Sequence, residues 1–298
     1  MIDALVVTYN RIEKLKECIT NLFSMNLSHI FVVNNNSTDG TQDYLDELSN
    51  KMARLIVFNL DSNVGGAGGF NYGLKKFYEE SKSEYVWVMD DDTIPTSNAL
   101  DIMQHEMNEI PSALRGFVTG DVIWTDGSLA KMNVPQPWKS KVNETTQNIL
   151  RLRSASFVAI LISRLAIKRV GFPISDFFIW GDDVEFTQRI TKSGLYGIQT
   201  KKAKIIHKMK NNNNTNIINE NDNILRIKRH YYDFRNRVYI SKLDGKLAFF
   251  KTIVGRFIWA AKIIFFPNKY KLLKLRILIS GTLSGIKFAP IIERMTDQ

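Results

Sequence analysis

Three consecutive carboxylates, Asp90-Asp91-Asp92, follow directly on the apolar run Tyr85–Met89. Adjacent negative charges repel one another unless a cation sits among them. A hard divalent ion takes oxygen ligands from one or two such carboxylates and from the phosphates of a substrate. Bound there, it would bridge a diphosphate and offset the charge that develops on a leaving group. The plainer reading of an isolated triplet is a solvated acidic turn. A second acidic cluster lies in Gly181-Asp182-Asp183-Val184-Glu185-Phe186, behind the aromatic stretch Phe177-Phe178-Ile179-Trp180. Acids at a helix start can simply cap it and face the positive end of its dipole. They can also act as a general base toward an attacking hydroxyl.

Two further signals are weaker alone. His207 ends the run Lys204-Ile205-Ile206, and a lone histidine is more often structural than a ligand. Asn63-Val64-Gly65-Gly66-Ala67-Gly68-Gly69-Phe70 places four glycines before a helical pattern. Glycine lets backbone approach a ligand closely, and a helix N-terminus favours phosphate. A dinucleotide fingerprint belongs after the first strand, and the first strand here is followed by Tyr9-Asn10-Arg11, without glycine.

These residues need a frame. Ala4–Thr8, His29–Asn34, Leu55–Asn59 and Tyr85–Met89 are short apolar runs of the kind that form buried parallel strands. Between them, Arg11–Met25, Thr41–Leu48 and Phe70–Glu79 show helical spacing, with Ser37 or Thr38 placed to cap the second helix. The alternation predicts an α/β fold, a Rossmann-like, mostly parallel sheet flanked by helices. Such sheets bind ligands beyond the carboxyl ends of their strands. Asn10, Asn34–Asp39, Asn63–Gly69 and Asp90–Asp92 all fall at those ends. Further along, Ser154–Ile162 reads as a strand, Arg164–Val170 as a short helix, and Asp182 or Asp183 as the start of a helix to Lys192. Tyr196–Thr200 and Lys204–Ile206 read as two short strands, and Asn211–Asn214 as a polar loop.

The chain has 298 residues, 44% of them hydrophobic, enough to bury a substantial core. With one cysteine, Cys18, it can form no internal disulfide, and Met1–Asn10 has no basic or long apolar leader. A cytoplasmic setting is expected. The net charge of +10 is uneven: Arg226–Gln298 carries 16 Lys+Arg against 4 Asp+Glu, and the remainder is nearly neutral. A basic helical tail suggests an anionic surface as partner, membrane lipid or nucleic acid. Leu247–Phe266 is apolar but holds Lys251, Arg256 and Lys262. Each costs about 2.5–3.5 kcal/mol at the bilayer centre, so a helix lying in the membrane interface, apolar face down and basic face up, is expected rather than a span. Its apolar face can equally make a homo-oligomer contact.

Taken together, Val7-Thr8-Tyr9-Asn10, Asn34–Thr41, Asn63–Gly69, Asp90–Asp92, Gly181–Phe186 and His207 resemble the inverting family 2 glycosyltransferases of the GT-A fold over roughly residues 2–210. The resemblance implies a GT-A catalytic domain over 1–222 and a basic helical region over 223–298. It implies that Thr8, Tyr9, Asn10 and Asp39 hold the nucleoside, and that Asp90 and Asp92 work around the metal and diphosphate, with Asp91 beside them. His207 would be the third protein ligand to Mn²⁺ or Mg²⁺. Asp183, two residues before Glu185, would be the catalytic base, with Trp180 and Asp182 at the acceptor. Asn63, Gly65 and Gly66 would meet the donor phosphates. The glycine-rich loop, the full triplet and Trp180–Phe186 look most like bacterial galactofuranosyltransferases, which use UDP-galactofuranose. Rhamnosyltransferases using dTDP-rhamnose share the plan. Tyr231–Asn236 recurs in both kinds and does not decide between them. The expected acceptor is a saccharide, lipid-linked, in bacterial surface polysaccharide synthesis, at the inner face of the membrane. A nucleic-acid-binding protein using the basic tail is the alternative from another class, and the acidic triplet argues against it because it would repel a phosphate backbone.

Overall fold

The computed structural model describes residues 1–138, 148–212 and 216–295. Asn213 and Asn214 of the polar loop and positions 296–298 of the tail lie outside them. The chain begins with β1 (Ile2–Thr8), α1 (Ile12–Phe23), β2 (Ile30–Asn34), α2 (Thr41–Lys51), β3 (Leu55–Asn59), α3 (Gly65–Glu80) and β4 (Tyr85–Asp90). There follow β5 (Thr93–Pro95), α4 (Ala99–Glu109), β6 (Arg115–Ile123), β7 (Gln136–Pro137), β8 (Ile149–Ser154) and β9 (Ile160–Ser163). Then come α5 (Arg164–Val170), α6 (Asp182–Lys192), β10 (Tyr196–His207), α7 (Ile224–Leu243), α8 (Lys246–Phe265) and α9 (Lys271–Lys287).

The sheet runs β3-β2-β1-β4-β9-β6-β10-β8-β7, with β5 paired onto β10. The first four strands are parallel to one another, β9 is antiparallel to both β4 and β6, and β10 is parallel to β6. The two faces of β1 explain its unbroken apolar sequence. Ile2, Ala4 and Val6 pack with Leu15, Ile19 and Leu22 of α1, while Leu5 and Val7 pack with Phe70, Leu74 and Phe77 of α3. A strand covered on both sides has no polar face to show.

Several local expectations are corrected. Ser154–Ile162 is not one strand: β8 ends at Ser154, and the chain crosses before re-entering as β9. The two short strands at 196–200 and 204–206 are one, β10, with its register against β6 shifting between Gln199 and Lys204. Neither Ser37 nor Thr38 caps α2. Its N-cap is Gly40 at φ 86°, and the Asp39 carboxylate accepts from both Thr41 N and Thr41 Oγ1. The glycine-rich stretch is not a loop ahead of a helix at Phe70 but the first turns of α3 itself.

The reason is packing. A Cβ at Gly69 would sit 2.6 Å from Val7 Cγ1, and one at Gly73 would sit 2.5 Å from Leu5 Cδ1 and 3.0 Å from Val33 Cγ2. Glycine lets α3 lie directly on β1. Alanine is the better helix former by about 1 kcal/mol. At Gly73, however, that gain is outweighed by overpacking of about 1–3 kcal/mol against two fully buried side chains. Gly73→Ala is therefore expected to lower the denaturant midpoint. Gly66→Ala is expected to hold or raise it, since a Cβ there meets nothing within 4 Å. The same direction for both would contradict this packing.

The chain divides into two compact units. One takes in residues up to Ser175, the chain from Asp183 through β10, and Ile292 onward. The other comprises Asp176–Asp182 and the described residues from Asn216 to Ile291, which include α7, α8 and α9. The 222/223 boundary expected from sequence lies within the second unit, and Asp176–Asp182 and Ile292 onward lie across it. The second unit has its own small core of Ile217, Ile227, Phe234, Ile263, Ile277 and Leu278. Among the described residues no helix is long and apolar enough to cross a membrane. The basic face expected on α8 is incomplete: Arg256 turns inward, donates to the Phe234 carbonyl at 3.3 Å and is only 9% exposed.

Candidate active site

The carboxyl ends of the parallel strands converge as expected. Val7 of β1 stands opposite Asp90 of β4, and Thr8 opposite Asn34 of β2. Polar side chains tie these ends together. Thr38 N donates to Asn10 Oδ1 at 2.7 Å, and Asn10 N donates to Ser37 Oγ at 3.0 Å, with Asn10 itself at φ 53°. Asn35 Nδ2 donates to the Gly65 carbonyl at 2.9 Å, while Asn35 Oδ1 accepts from Val64 N and Asn63 Oδ1 from Gly65 N. Asn63 thus fixes the start of α3, and Gly66 follows with open space where a side chain would be. Asp39 Oδ2 accepts from Ile12 N at 3.0 Å, which joins the starts of α1 and α2. Burial raises the Asp39 pKa, but the hydrogen bonds from Thr41 and Ile12 outweigh it and keep the carboxylate ionised to lower pH. Tyr9 is exposed at the rim, 39% accessible.

The triplet divides by orientation. Asp91 is 3% exposed and accepts from Thr8 Oγ1 at 2.8 Å and Arg11 Nη1 at 3.1 Å. Its carboxylate anchors the end of β1. Asp90 and Asp92 instead form a cluster with His207, their ligand atoms all within 4.8 Å of one another. His207 arrives because β5 folds back onto β10, pairing Thr93 with His207. His207 Nε2 stands 2.9 Å from Asp92 Oδ1, and His207 Nδ1 stands 2.8 Å from Asn133 Oδ1. In the metal-free chain Nδ1 is held by Asn133 and Nε2 by Asp92; a cation bound among the carboxylates would replace the Nε2–Asp92 hydrogen bond and take the Nε2 lone pair, with Nδ1–H donating to Asn133, the arrangement a metal-binding histidine uses. Burial first, and then the Asp92 charge, push the Asp90 pKa up to about 8. Burial also raises Asp92, but its hydrogen bond to His207 and the charges of His207, Arg11 and Lys14 hold it below the usual carboxylate range. Two carboxylate oxygens and an imidazole nitrogen at this spacing suit a divalent cation of the Mg²⁺ or Mn²⁺ kind. Arg11, half-exposed, bridges Asp91 and Asp92 with the same Nη1.

Asp183 lies in the first turn of α6. Thr187 Oγ1 joins the Asp183 carbonyl at 2.6 Å to both the N and O of Ala155, each at 3.1 Å. Ala155 precedes β9, whose Ile160 pairs with Val88, two residues before Asp90. Phe157 packs edge-on against both Phe70 of α3 and Phe186 of α6. The start of α6 therefore sits at the carboxyl edge of the sheet that carries Asp90. Glu185 is committed elsewhere: it is 2% exposed and makes a bidentate pair with Arg189, both contacts 2.8 Å.

In the second unit, the segment before Asp183 is held in an unusual shape. Phe178, Trp180 and Gly181 have φ of 62°, 64° and 92°. The buried Asn236 amide donates to the carbonyls of Phe177, Ile179 and Trp180 at 3.0, 3.1 and 2.8 Å. Trp180 packs on His230, ring centroids 5.2 Å apart, and burial pushes the His230 pKa down to about 4, so that ring is neutral at physiological pH. Asp182, at 6% exposure, closes the segment. Sequence reasoning does not single out Arg11, Asn133, Asn236 or Arg189. Only Arg11, directly after Thr8-Tyr9-Asn10, and Asn236, within Tyr231–Asn236, lie in stretches that the motifs touch.

Residues 3–161 match the family model described as Glycosyl transferase family 2. The glycosyltransferase AglE of Haloferax volcanii is 24% identical over 200 residues, which cover 65% of this chain and 62% of AglE. A mannosyltransferase of Pyrobaculum calidifontis, solved with GDP-Man and Mn²⁺, superposes with a TM-score of 0.58 at 13% identity, covering 96% of this chain and 86% of its own. GalNAc-T7, solved with UDP, GalNAc and Mn²⁺, superposes at 0.58 and 11% identity over 80% of this chain and 50% of its own. TarS of S. aureus superposes at 0.55 and 18% identity over 96% and 53%. The fold is thus of the GT-A type, and the chain spans about three-fifths of the curated relative and about half of two of these structures.

Proposed function

Because the chain belongs to glycosyl transferase family 2, we propose that it is an inverting glycosyltransferase that moves a sugar from a nucleotide donor to a saccharide hydroxyl with the help of a divalent cation. The carrying observation is the Asp90, Asp92 and His207 cluster at the carboxyl ends of the parallel strands. A divalent cation held there would supply positive charge to the departing diphosphate. We assign Thr8, Tyr9, Asn10 and Asp39, around the carboxyl ends of β1 and β2, to the nucleoside, and Gly66, at the open start of α3, to the phosphates. Asp183 takes the proton from the acceptor hydroxyl as that oxygen forms a bond to C1 of the sugar. The bond from C1 to the diphosphate oxygen breaks on the opposite face, and the nucleotide leaves. Trp180 and Asp182, within three positions ahead of Asp183 in sequence, are assigned to the acceptor.

The donor we propose is UDP-galactofuranose, on the Gly65–Phe70, Asp90–Asp92 and Trp180–Phe186 segments. The acceptor is a lipid-linked saccharide, and the basic helices of the tail hold the chain at an anionic membrane surface, where each Lys or Arg contributes about 1 kcal/mol. The test is a panel of UDP- and dTDP-sugars with Mn²⁺ or Mg²⁺, read by thermal shift and by slow donor hydrolysis. UDP-galactofuranose is expected to give both signals, and only with the cation present. A response confined to dTDP-rhamnose would replace the donor. No response to any nucleotide sugar would overturn the transferase reading itself.

A further inference from the structure

The second unit contains a cavity of about 570 Å³ between α7 and α9. Its walls are two facing helix stripes. On α7, Leu225, Lys228, Arg229 and Tyr232 take the i, i+3, i+4, i+7 spacing of one helix face, with Tyr231 beside them, and on α9 Leu273, Arg276, Ile277 and Ser280 take the same spacing. Two glycines explain why the helices meet beyond it. A Cβ at Gly281 would lie 2.7 Å from the Tyr231 carbonyl, and one at Gly285 would lie 2.6 Å from that of Arg235. There α9 presses onto the α7 backbone. Ahead of that contact the larger residues part the helices.

The lining has a marked chemistry. Tyr231, Leu273 and Ile277 are half-buried or buried, while Lys228, Arg229 and Arg276 are exposed around them. No carboxylate lines the cavity. Among the described residues none of these three cations is ion-paired, whereas Arg226 and Arg237 on the same helix have Glu220 and Asp233. Three like charges on one concave surface raise its potential and call for an anion. Arginine in particular matches phosphate oxygens with its fork of donors. An apolar floor beneath a cationic rim fits an amphiphile better than a free anion.

The surroundings name the kind of amphiphile. On α9, Leu272, Ile279 and Leu283 are exposed and form a line roughly a quarter turn from the cavity stripe. On α8, Leu247, Phe250, Val254, Phe257, Ile258 and Phe265 share one face and are all exposed, with Lys246, Lys251 and Lys262 along its edges. Apolar stripes edged with lysine belong at a lipid surface, where the stems lie along the acyl boundary and the ammonium groups reach the head groups.

We propose that the groove between α7 and α9 is a binding site for the phosphate head group of an anionic membrane lipid, seated while the exposed faces of α8 and α9 rest on the bilayer. It rests on the reading of the tail as membrane-facing and sharpens it from a diffuse field to a site. The test is flotation of the full chain with vesicles of phosphatidylcholine alone or mixed with phosphatidylglycerol. Two triple variants remove equal charge: Lys228→Ala, Arg229→Ala and Arg276→Ala in the groove, and Lys246→Ala, Lys251→Ala and Lys262→Ala on α8. The wild type is expected to float only with the mixed vesicles, and the groove variant to lose at least about tenfold more affinity than the α8 variant. Soluble glycerol phosphate is expected to compete with the wild type and not with the groove variant. Circular dichroism and donor-induced thermal shift are expected to be unchanged in both, which excludes misfolding. Equal losses in the two variants overturn the groove and leave the membrane reading standing. A wild type that never floats overturns both. Self-association that depends on the groove residues would make the occupant a second copy and overturn the lipid.

Discussion

Asp183→Asn is expected to slow sugar transfer by about 10²–10⁴ while leaving donor affinity essentially unchanged, because a general base acts only as the acceptor proton moves. Three acids stand at the start of α6, and one of them is committed to a structural pair. Glu185 is locked to Arg189 through both oxygens, and Arg189 in turn donates to the Phe172 carbonyl at 2.9 Å. That carboxylate holds α6 to the strand-connecting chain and is not available to a substrate. Removing it leaves a buried arginine without its partner, a loss on the order of 3–5 kcal/mol. Glu185→Gln should therefore show its effect as a lowered melting temperature, and Asp183→Asn as a lowered rate at unchanged melting temperature. Donor affinity by calorimetry and product formation by mass spectrometry separate the two. Turnover of Asp183→Asn within about tenfold of the wild type would remove it from the base position.

The same contrast shows what is legible in sequence. The first four strands are readable because buried parallel strands must be continuous apolar runs, and their polar C-terminal residues mark the edge at which such sheets bind ligands. The meeting of Asp92 with His207 is not readable: 115 positions separate them, and only the pairing of Thr93 with His207 brings them together. Gly65–Gly69 has a loop composition, yet it lies in a helix; at Gly69, as at Gly73, the requirement is the closeness of α3 to β1, a tertiary demand with no local signature. Asn133 and Arg11 escape for a similar reason. Each acts on an atom supplied by a distant element, and neither residue type is unusual where it stands. The tail declares its helices through spacing, but not that Arg256 points inward, since a long side chain can turn either way until its neighbours are known.

Removing one member of the cluster should show the metal site directly, and its pH dependence should identify the titrating group. His207→Ala and Asp92→Asn are each expected to weaken Mn²⁺ binding by on the order of 10² or more, and Asn133→Ala by about 10–100-fold through loss of the bond that orients His207. The wild type adds a sign. Asp90 has its pKa raised to about 8 by burial and by Asp92, well above the ordinary carboxylate value. The folded, metal-free chain thus keeps a proton there that the unfolded chain has already lost. Its stability contribution from Asp90 falls as pH rises from about 4 toward 8. A cation must displace that proton, so apparent affinity rises by about tenfold per pH unit below 8 and levels off above it. The Mn²⁺-induced rise in melting temperature is accordingly smallest at pH 6 and largest near pH 8. In Asp90→Asn the slope disappears along with most of the affinity. A Mn²⁺ shift that is flat between pH 6 and 8 would mean that Asp90 gives up its proton at lower pH, whereas no Mn²⁺ shift at any pH would mean that the carboxylate pair does not receive the ion, and His207 with Arg11 would then be holding Asp92 for structure alone.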